Sequence, residues 1–273
     1  MAKYEKWLQD VVDAAHEVLI NLGNIDYDEA VYEEALCHEL RIRGISYERQ
    51  RNFEIMYRGY TVGSGRVDFI INPFWATKKH DEHVMEIKAV KKITKSHIRQ
   101  ALVYMISLDM KTGAVISFHH EAGILIESLR MPDVKLSELK VSKPKSSKAK
   151  TVDVLRKAVH EVYKYFGSEF MYRETTGVET YKEAVGVELR LNGVNYNRGV
   201  YPVLYKYQQV DEFTIPFVFA DSSAMALELY RKPDEIEENK DYYKYYAVRF
   251  GIKKIYLGLI PEKEDEKLVF LEV

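Results

Sequence analysis

The sequence predicts an α/β chain of two domains in tandem, each a central mixed β-sheet flanked by helices. Three observations carry that expectation. Apolar spacing through residues 4–130 runs helix, helix, strands, helix, strands. Residues 132–150 then lose periodicity and collect Lys, Ser and Pro. Beyond them, three sequence blocks repeat earlier blocks in the same order. The expected division is a first domain at 1–131, a Lys-rich linker at 132–150 and a second domain at 151–273.

The bounds agree. A chain of 273 residues with 47% hydrophobic content can fill two cores of ordinary size. No apolar run approaches the ~20 residues of a membrane span, and MAKYEKWLQD lacks the apolar stretch of a signal peptide. The single cysteine, Cys37, excludes an intramolecular disulfide framework and is expected to pack as a small hydrophobe. An intracellular protein of cytoplasm, nucleoid or nucleus is the expectation. A net charge of -2 says little about partners, but Lys91, Lys92, Lys95 and Arg99 cluster in the first domain, whereas EIEENKD and PEKEDEK make the far end acidic.

Taken in order, residues 4–22 place Trp7, Leu8, Val11, Val12, Ala15, Val18, Leu19 and Leu22 on one helical face, with Gly23 as the stop. A second helix is expected from Asp26 or Asp28 to Arg43, with Gly44 closing it. Asp26 followed by Glu29 has capping-box spacing, so Glu29 is expected to serve the helix start. Residues 47–62 alternate as a hairpin turned at Arg58-Gly59-Tyr60, and GRVDFII and HVMEIKAV add two strands. A helix at 94–109 is expected to bury Ile98, Ala101, Leu102 and Met105, followed by strands GAVISF and GILIESL.

The chemistry concentrates between Gly65 and Tyr104. Alternate strand residues share a face, so Glu86 and Lys88 point one way while Ile87 points into the core. Asp68 lies in the preceding strand, and Gln100 and Tyr104 share a face of the following helix. Two carboxylates, an ammonium and an amide on adjoining elements suit a divalent metal and a phosphate. No zinc pattern, P-loop or Gly-rich dinucleotide turn accompanies them.

Asp68 followed by Glu86-x-Lys88 resembles the PD-(D/E)XK nuclease superfamily, and Gln100-Ala-Leu-Val-Tyr104 resembles the QxxxY element of its RecB-type branch. Upstream, HEVLINLG (16–23), Glu29-Ala-Val-Tyr32, EEALCHEL (33–40), Arg43-Gly-Ile45 and GAVISF (113–118) together resemble the GxxExxY proteins within that superfamily. Asp26 departs from that pattern, standing where its Gly would be, and the stretch between Asp68 and Glu86 is longer than the group implies. The resemblance implies a restriction-endonuclease-like fold and a nuclease hydrolysing phosphodiester bonds of DNA, with Mg²⁺ or Mn²⁺ held by Asp68, Glu86 and the Ile87 carbonyl. Glu29 would face the metal. Lys88 would polarise the attacking water, and Gln100 and Tyr104 would position substrate. Arg66, Lys91, Lys95, His97 and Arg99 are expected to contact backbone phosphates. The rival expectation is a catalytically idle nucleic-acid-binding or assembly protein on the same fold.

The repeats imply a tandem duplication. ELRIRGISYERQ (39–50) aligns with ELRLNGVNYNRG (188–199), and Tyr32-Glu33-Glu34-Ala35 aligns with Tyr181-Lys182-Glu183-Ala184 at the same offset of 149. AAHEVLINLG (14–23) aligns with AVHEVYKYFG (158–167) at an offset of 144. Such a period is too long for a solenoid, whose repeats run ~20 to 50 residues. In the second copy Val178 replaces Glu29, Pro216 replaces Asp68 and Tyr230 is expected where Lys88 stands, leaving Glu228 alone as the counterpart of Glu86. A degenerate second domain, structural or substrate-holding and packed on the first as an intramolecular pseudo-dimer, is the expectation. The tyrosines Tyr242, Tyr243, Tyr245 and Tyr246 are candidates for an interface or for base stacking.

Overall fold

The computed structural model describes residues 4–77, 81–131, 151–173, 177–263 and 266–273. The stretch 132–150, expected as a linker with Lys135, Lys140, Lys143, Lys145, Lys148 and Lys150, lies outside the described residues. By its contacts the chain divides into two units, Met1–Met56 with Gly63–Leu139, and Tyr57–Val62 with Lys140–Val273.

The first unit opens with helices α1 (Lys6–Leu22) and α2 (Glu29–Ile42). Gly23 stops α1 at φ +84°, and Gly44 closes α2 at φ +67°, conformations in which a Cβ would be strained. Strands β1 (Tyr47–Tyr57) and β2 (Tyr60–Ile71) follow, then the short helix α3 (Phe74–Thr77), which the sequence did not announce. GRVDFII is therefore the second half of a 12-residue strand, not a separate one. Gly65 lies within this strand, where a Cβ would stand 2.9 Å from the Phe53 ring. Arg58 and Gly59 take φ of +52° and +81°, as a two-residue type I′ hairpin turn requires.

Strand β3 (His83–Lys88), helix α4 (Lys95–Ser107), strand β4 (Thr112–His119) and strand β5 (Gly123–Arg130) complete the unit. The sheet order is β1-β2-β3-β4-β5. β3 and β4 run parallel, with α4 as the crossover, whereas β2–β3 and β4–β5 are antiparallel, so the sheet is mixed. Leu8, Val11, Ala15 and Val18 of α1 and Tyr32, Leu36, Cys37 and Leu40 of α2 cover one face through Phe69, Met85, Ile87, Ile116 and Phe118. Helix α4 buries Ala101, Val103, Tyr104 and Met105, with Ile98 and Leu102 only half-buried, so its inner face is rotated from the one expected.

The second unit contains α5 (Thr151–Arg173), bent at Gly167, and α6 (Gly177–Leu191). Strands β6 (Asn197–Tyr205), β7 (Gln208–Val218) and β8 (Ser223–Tyr230), helix α7 (Asp234–Phe250), and strands β9 (Lys254–Pro261) and β10 (Val269–Glu272) follow. The sheet order is β10-β9-β8-β7-β6, and β8 and β9 are again the parallel pair. Both units are thus five-stranded mixed sheets flanked by helices.

Strand register corrects one residue correspondence. Phe69 pairs with Met85 across β2 and β3, and Phe217 pairs with Met225 across β7 and β8. Counting from those methionines, Ala226 stands in the position of Glu86 and Glu228 in that of Lys88. In register Glu228 therefore corresponds to Lys88 and not to Glu86. The one-strand sequence alignment slipped by two residues, a shift that preserves the face of every side chain and so left the alternation undisturbed.

Candidate active site

Asp68, Glu86 and Lys88 come together at the join of β2 and β3. The Ile87 N–H donates to Asp68 Oδ2 at 2.8 Å, and the Asp68 N–H reaches Glu86 Oε1 at 3.3 Å. Glu86 is 1% exposed and Lys88 5%. The Lys88 ammonium lies 3.6 Å from Glu86 Oε2 and 3.8 Å from Glu29 Oε2. Glu29, the first residue of α2, thus faces the site from an exposed position.

The expected capping box at that helix start is not made. Asp28 is the N-cap and gives no side-chain bond. Asp26 instead accepts the His120 N–H at 2.8 Å, with its other oxygen 2.6 Å from His120 Nδ1 and 3.5 Å from His119 Nε2. The backbone bond from His120 holds the Asp26 carboxyl below its usual range. These three side chains bring donor atoms within 4.8 Å of one another. Yet His119 Nδ1 accepts the N–H groups of Glu121 and Ala122 at 3.2 and 3.3 Å, which puts the proton of a neutral ring on Nε2, facing Asp26. The cluster is accordingly a hydrogen-bonded latch between the entry to α2 and the β4–β5 turn.

A fourth carboxylate escaped the sequence analysis. Glu33, one helical turn beyond Glu29, is 8% exposed and accepts from Arg49 Nε at 2.5 Å and Gln50 Nε2 at 3.0 Å. Gln50 sits at φ +53° inside β1, a conformation uncommon outside glycine. The signal was available, since residues four apart on a helix share a face. Ser117 was also missed: its hydroxyl donates to the Val90 carbonyl at 2.7 Å and accepts the Val90 N–H at 3.0 Å, fixing the chain just beyond Lys88. Nothing in a lone serine within an apolar strand marked it.

Burial pushes the Asp68 carboxyl up to about 6, against the lowering effects of Lys88 and the Ile87 N–H, and Glu33 and Glu29 add to the rise. Asp68, Glu86, Glu29 and Glu33 offset one lysine and one arginine here. A site of carboxylate oxygens that resists its own negative charge fits a hard divalent cation, which prefers oxygen ligands.

The helix residues divide. Gln100 Nε2 donates to the Tyr104 hydroxyl at 3.1 Å, and Tyr104 is fully buried with its ring edge-on to Phe53 at 4.8 Å between centroids. Tyr104 therefore orients Gln100 from below. His97, expected at phosphates, is 1% exposed because it closes the capping box of α4 with Thr94. That removes it from the surface expected of it. Arg66, Lys91 and Lys95 are exposed, Lys91 paired with Glu121 at 2.5 Å, and Arg99 is half-buried.

Comparison with known proteins bears on this geometry. Residues 5–126 match the family model of the PD-(D/E)XK nuclease superfamily. That span contains every residue of the site just described, and superfamily members are in general hydrolytic nucleases. No curated protein matches the chain. Among solved structures, the chain is similar to one titled "Crystal structure of SSO0001" over 51% of this chain and 75% of that one, at 17% identity and a TM-score of 0.27. Among the described residues, no helix is long and apolar enough to cross a membrane.

Proposed function

We propose that the first unit is a metal-dependent nuclease hydrolysing DNA phosphodiester bonds, with Asp68, Glu86 and Lys88 as its catalytic residues. The observation that carries this reading is the junction itself: two carboxylates tied to each other's strands through the Ile87 and Asp68 N–H groups, with a buried ammonium beside them. A bound Mg²⁺ or Mn²⁺ would neutralise phosphate charge and lower the pKa of the attacking water. Asp68, Glu86 and the Ile87 carbonyl would hold it, with Glu29 at the open side. Lys88 orients that water and stabilises charge developing on the phosphate, its position set by Glu86 and Glu29. Gln100 positions the strand being cut, and Arg66, Lys91, Lys95 and Arg99 hold its phosphates.

The second unit, on this reading, is a duplicated and degenerate copy of the first. Pro216, Ala226 and Glu228 occupy the three catalytic positions, so no metal pair remains. A cleft of about 620 Å³ in it is lined by Glu212, Glu228, Glu235 and Glu238 against Lys182. Such a lining repels phosphate, which favours a structural role over substrate holding at that place.

The test is cleavage of labelled linear, circular, single-stranded and branched DNA and RNA with Mg²⁺ or Mn²⁺. Asp68→Asn and Glu86→Gln should each abolish cutting without unfolding the chain. Cutting at wild-type rate by either variant would overturn the assignment. Specific binding without cutting would support the rival, an idle binding protein.

A further inference from the structure

The two hairpins end in the same chemistry. At the first, the positive-φ pair is Arg58 and Gly59, and at the second it is Lys206 and Tyr207. Counted from those turns, Tyr57 answers Tyr205 and Arg58 answers Lys206. The cation lies over the neighbouring ring in both, Arg58 at 5.7 Å from the Tyr57 centroid and Lys206 at 5.4 Å from that of Tyr205.

Their surroundings differ. Tyr57–Val62 belongs to the second unit, where Tyr57 is 2% exposed. There the Tyr57 hydroxyl donates to Glu188 at 2.7 Å, and Arg58 pairs with Glu188 at 2.9 Å and Glu161 at 3.2 Å. The Tyr57 ring packs edge-on to Tyr165, 5.0 Å between centroids. At the β6–β7 tip, by contrast, Tyr205 is 62% exposed, Tyr207 100%, Leu204 53% and Val210 59%. So apolar a tip on an edge hairpin costs solubility unless something covers it.

The receiving surface also exists twice. In the aligned blocks, Glu161 answers Glu17 and Glu188 answers Glu39. Glu17 lies on α1 and Glu39 on α2, with Ile20 at 74% and Ile42 at 66% exposure on the same two helices. Glu39 is shared with Arg43 at 2.6 Å, and Glu17 accepts the Asn21 amide at 2.9 Å.

We propose that the β6–β7 tip of one copy docks on the α1–α2 face of a second copy of this chain, Lys206 against Glu17 and Glu39 and Tyr205 and Tyr207 against Ile20 and Ile42. The contact would repeat between molecules what Tyr57 and Arg58 make with Glu161 and Glu188. It is heterologous, so two copies exchanging tips close a dimer, and a geometry that does not close builds longer assemblies. Nothing in it depends on the nuclease assignment.

The full chain tests this by sedimentation velocity from micromolar to submillimolar concentration. Wild type should shift to dimer or larger species. Lys206→Glu and Glu17→Lys should each weaken association about tenfold or more, since each sets like charges face to face. An equimolar mixture of the two should recover it, because opposite charges meet again at the altered contact. Tyr207→Ser, at a fully exposed position, should weaken it with unchanged circular dichroism. A wild-type chain that stays monomeric, or charge variants that associate like wild type, would overturn the proposal. So would Lys206→Glu lowering DNA affinity at unchanged mass, which would make the tip a nucleic-acid contact.

Discussion

The Asp68 carboxylate accepts the Ile87 N–H at 2.8 Å, so the backbone between Glu86 and Lys88 is anchored by the neighbouring strand. This bond favours ionised Asp68, yet burial outweighs it and holds the carboxyl at about 6, above its ordinary 3.8. A carboxyl raised in the folded state costs stability once it must ionise. The metal-free protein should therefore lose stability as pH rises from about 4 to about 6, by roughly 3 kcal/mol if Asp68 acts alone. Asp68→Asn removes that slope while its amide oxygen can still accept the Ile87 N–H. Thermal unfolding with chelator should show the variant more stable than wild type above about pH 6 and equal to it near pH 4. Added Mn²⁺ should raise the wild-type midpoint and leave the variant's nearly unchanged.

Lys88 should separate metal binding from cleavage. Its ammonium offsets Glu86 and Glu29 at 3.6 and 3.8 Å. Removing it leaves the carboxylates with more negative charge, which destabilises the metal-free fold and favours a divalent cation. Lys88→Ala is expected to keep or enlarge the Mn²⁺-induced thermal shift while cleavage falls by about two to three orders of magnitude, the loss typical of removing one transition-state donor. Loss of both together would assign Lys88 to holding the site's structure.

Glu228 supplies the control from the second unit. Register puts it where Lys88 stands in the first, and its carboxylate accepts the hydroxyl of the buried Tyr243. Glu228→Gln should leave cleavage and the Mn²⁺ shift unchanged and lower the unfolding free energy modestly, by about 1 kcal/mol for a weakened hydrogen bond. A loss of cutting would locate catalysis in the wrong unit.

Much of this was legible in the sequence because it rests on local periodicity. Alternation put Glu86 and Lys88 on one face, and helical spacing placed Leu8, Val11 and Val18 in the core. What escaped depends on contacts distant in the chain. Asp26 has the spacing of a helix cap, but His120, 94 residues away, takes its carboxylate. His97 looked like a phosphate contact until Thr94 claimed it as a cap. The pairing of Glu228 needed the strand opposite, since a two-residue slip leaves every face unchanged.

The Arg49–Glu33 pair couples the fold to the site. Glu33 is mostly buried, with Arg49 Nε at 2.5 Å and Gln50 Nε2 at 3.0 Å, and its charge is one of those raising Asp68. Arg49→Ala strands that carboxylate. A fully buried pair broken this way costs about 3 kcal/mol or more, and the partial exposure of Arg49 reduces this to about 1–3 kcal/mol. Glu33→Gln is milder, because Arg49 keeps Glu34 as a partner. The two changes should also move the pH at which Asp68 ionises in opposite directions. Glu33→Gln removes a negative neighbour and lowers it, whereas Arg49→Ala unmasks that neighbour and raises it. Adding Glu33→Gln to Arg49→Ala should recover most of the lost stability and return the midpoint toward or below that of wild type. Unfolding curves against pH for the four proteins of this cycle read both effects at once. Equal midpoints in all four would show that Glu33 is too well neutralised to be felt at Asp68, and would leave the pair a purely structural tie between α2 and β1.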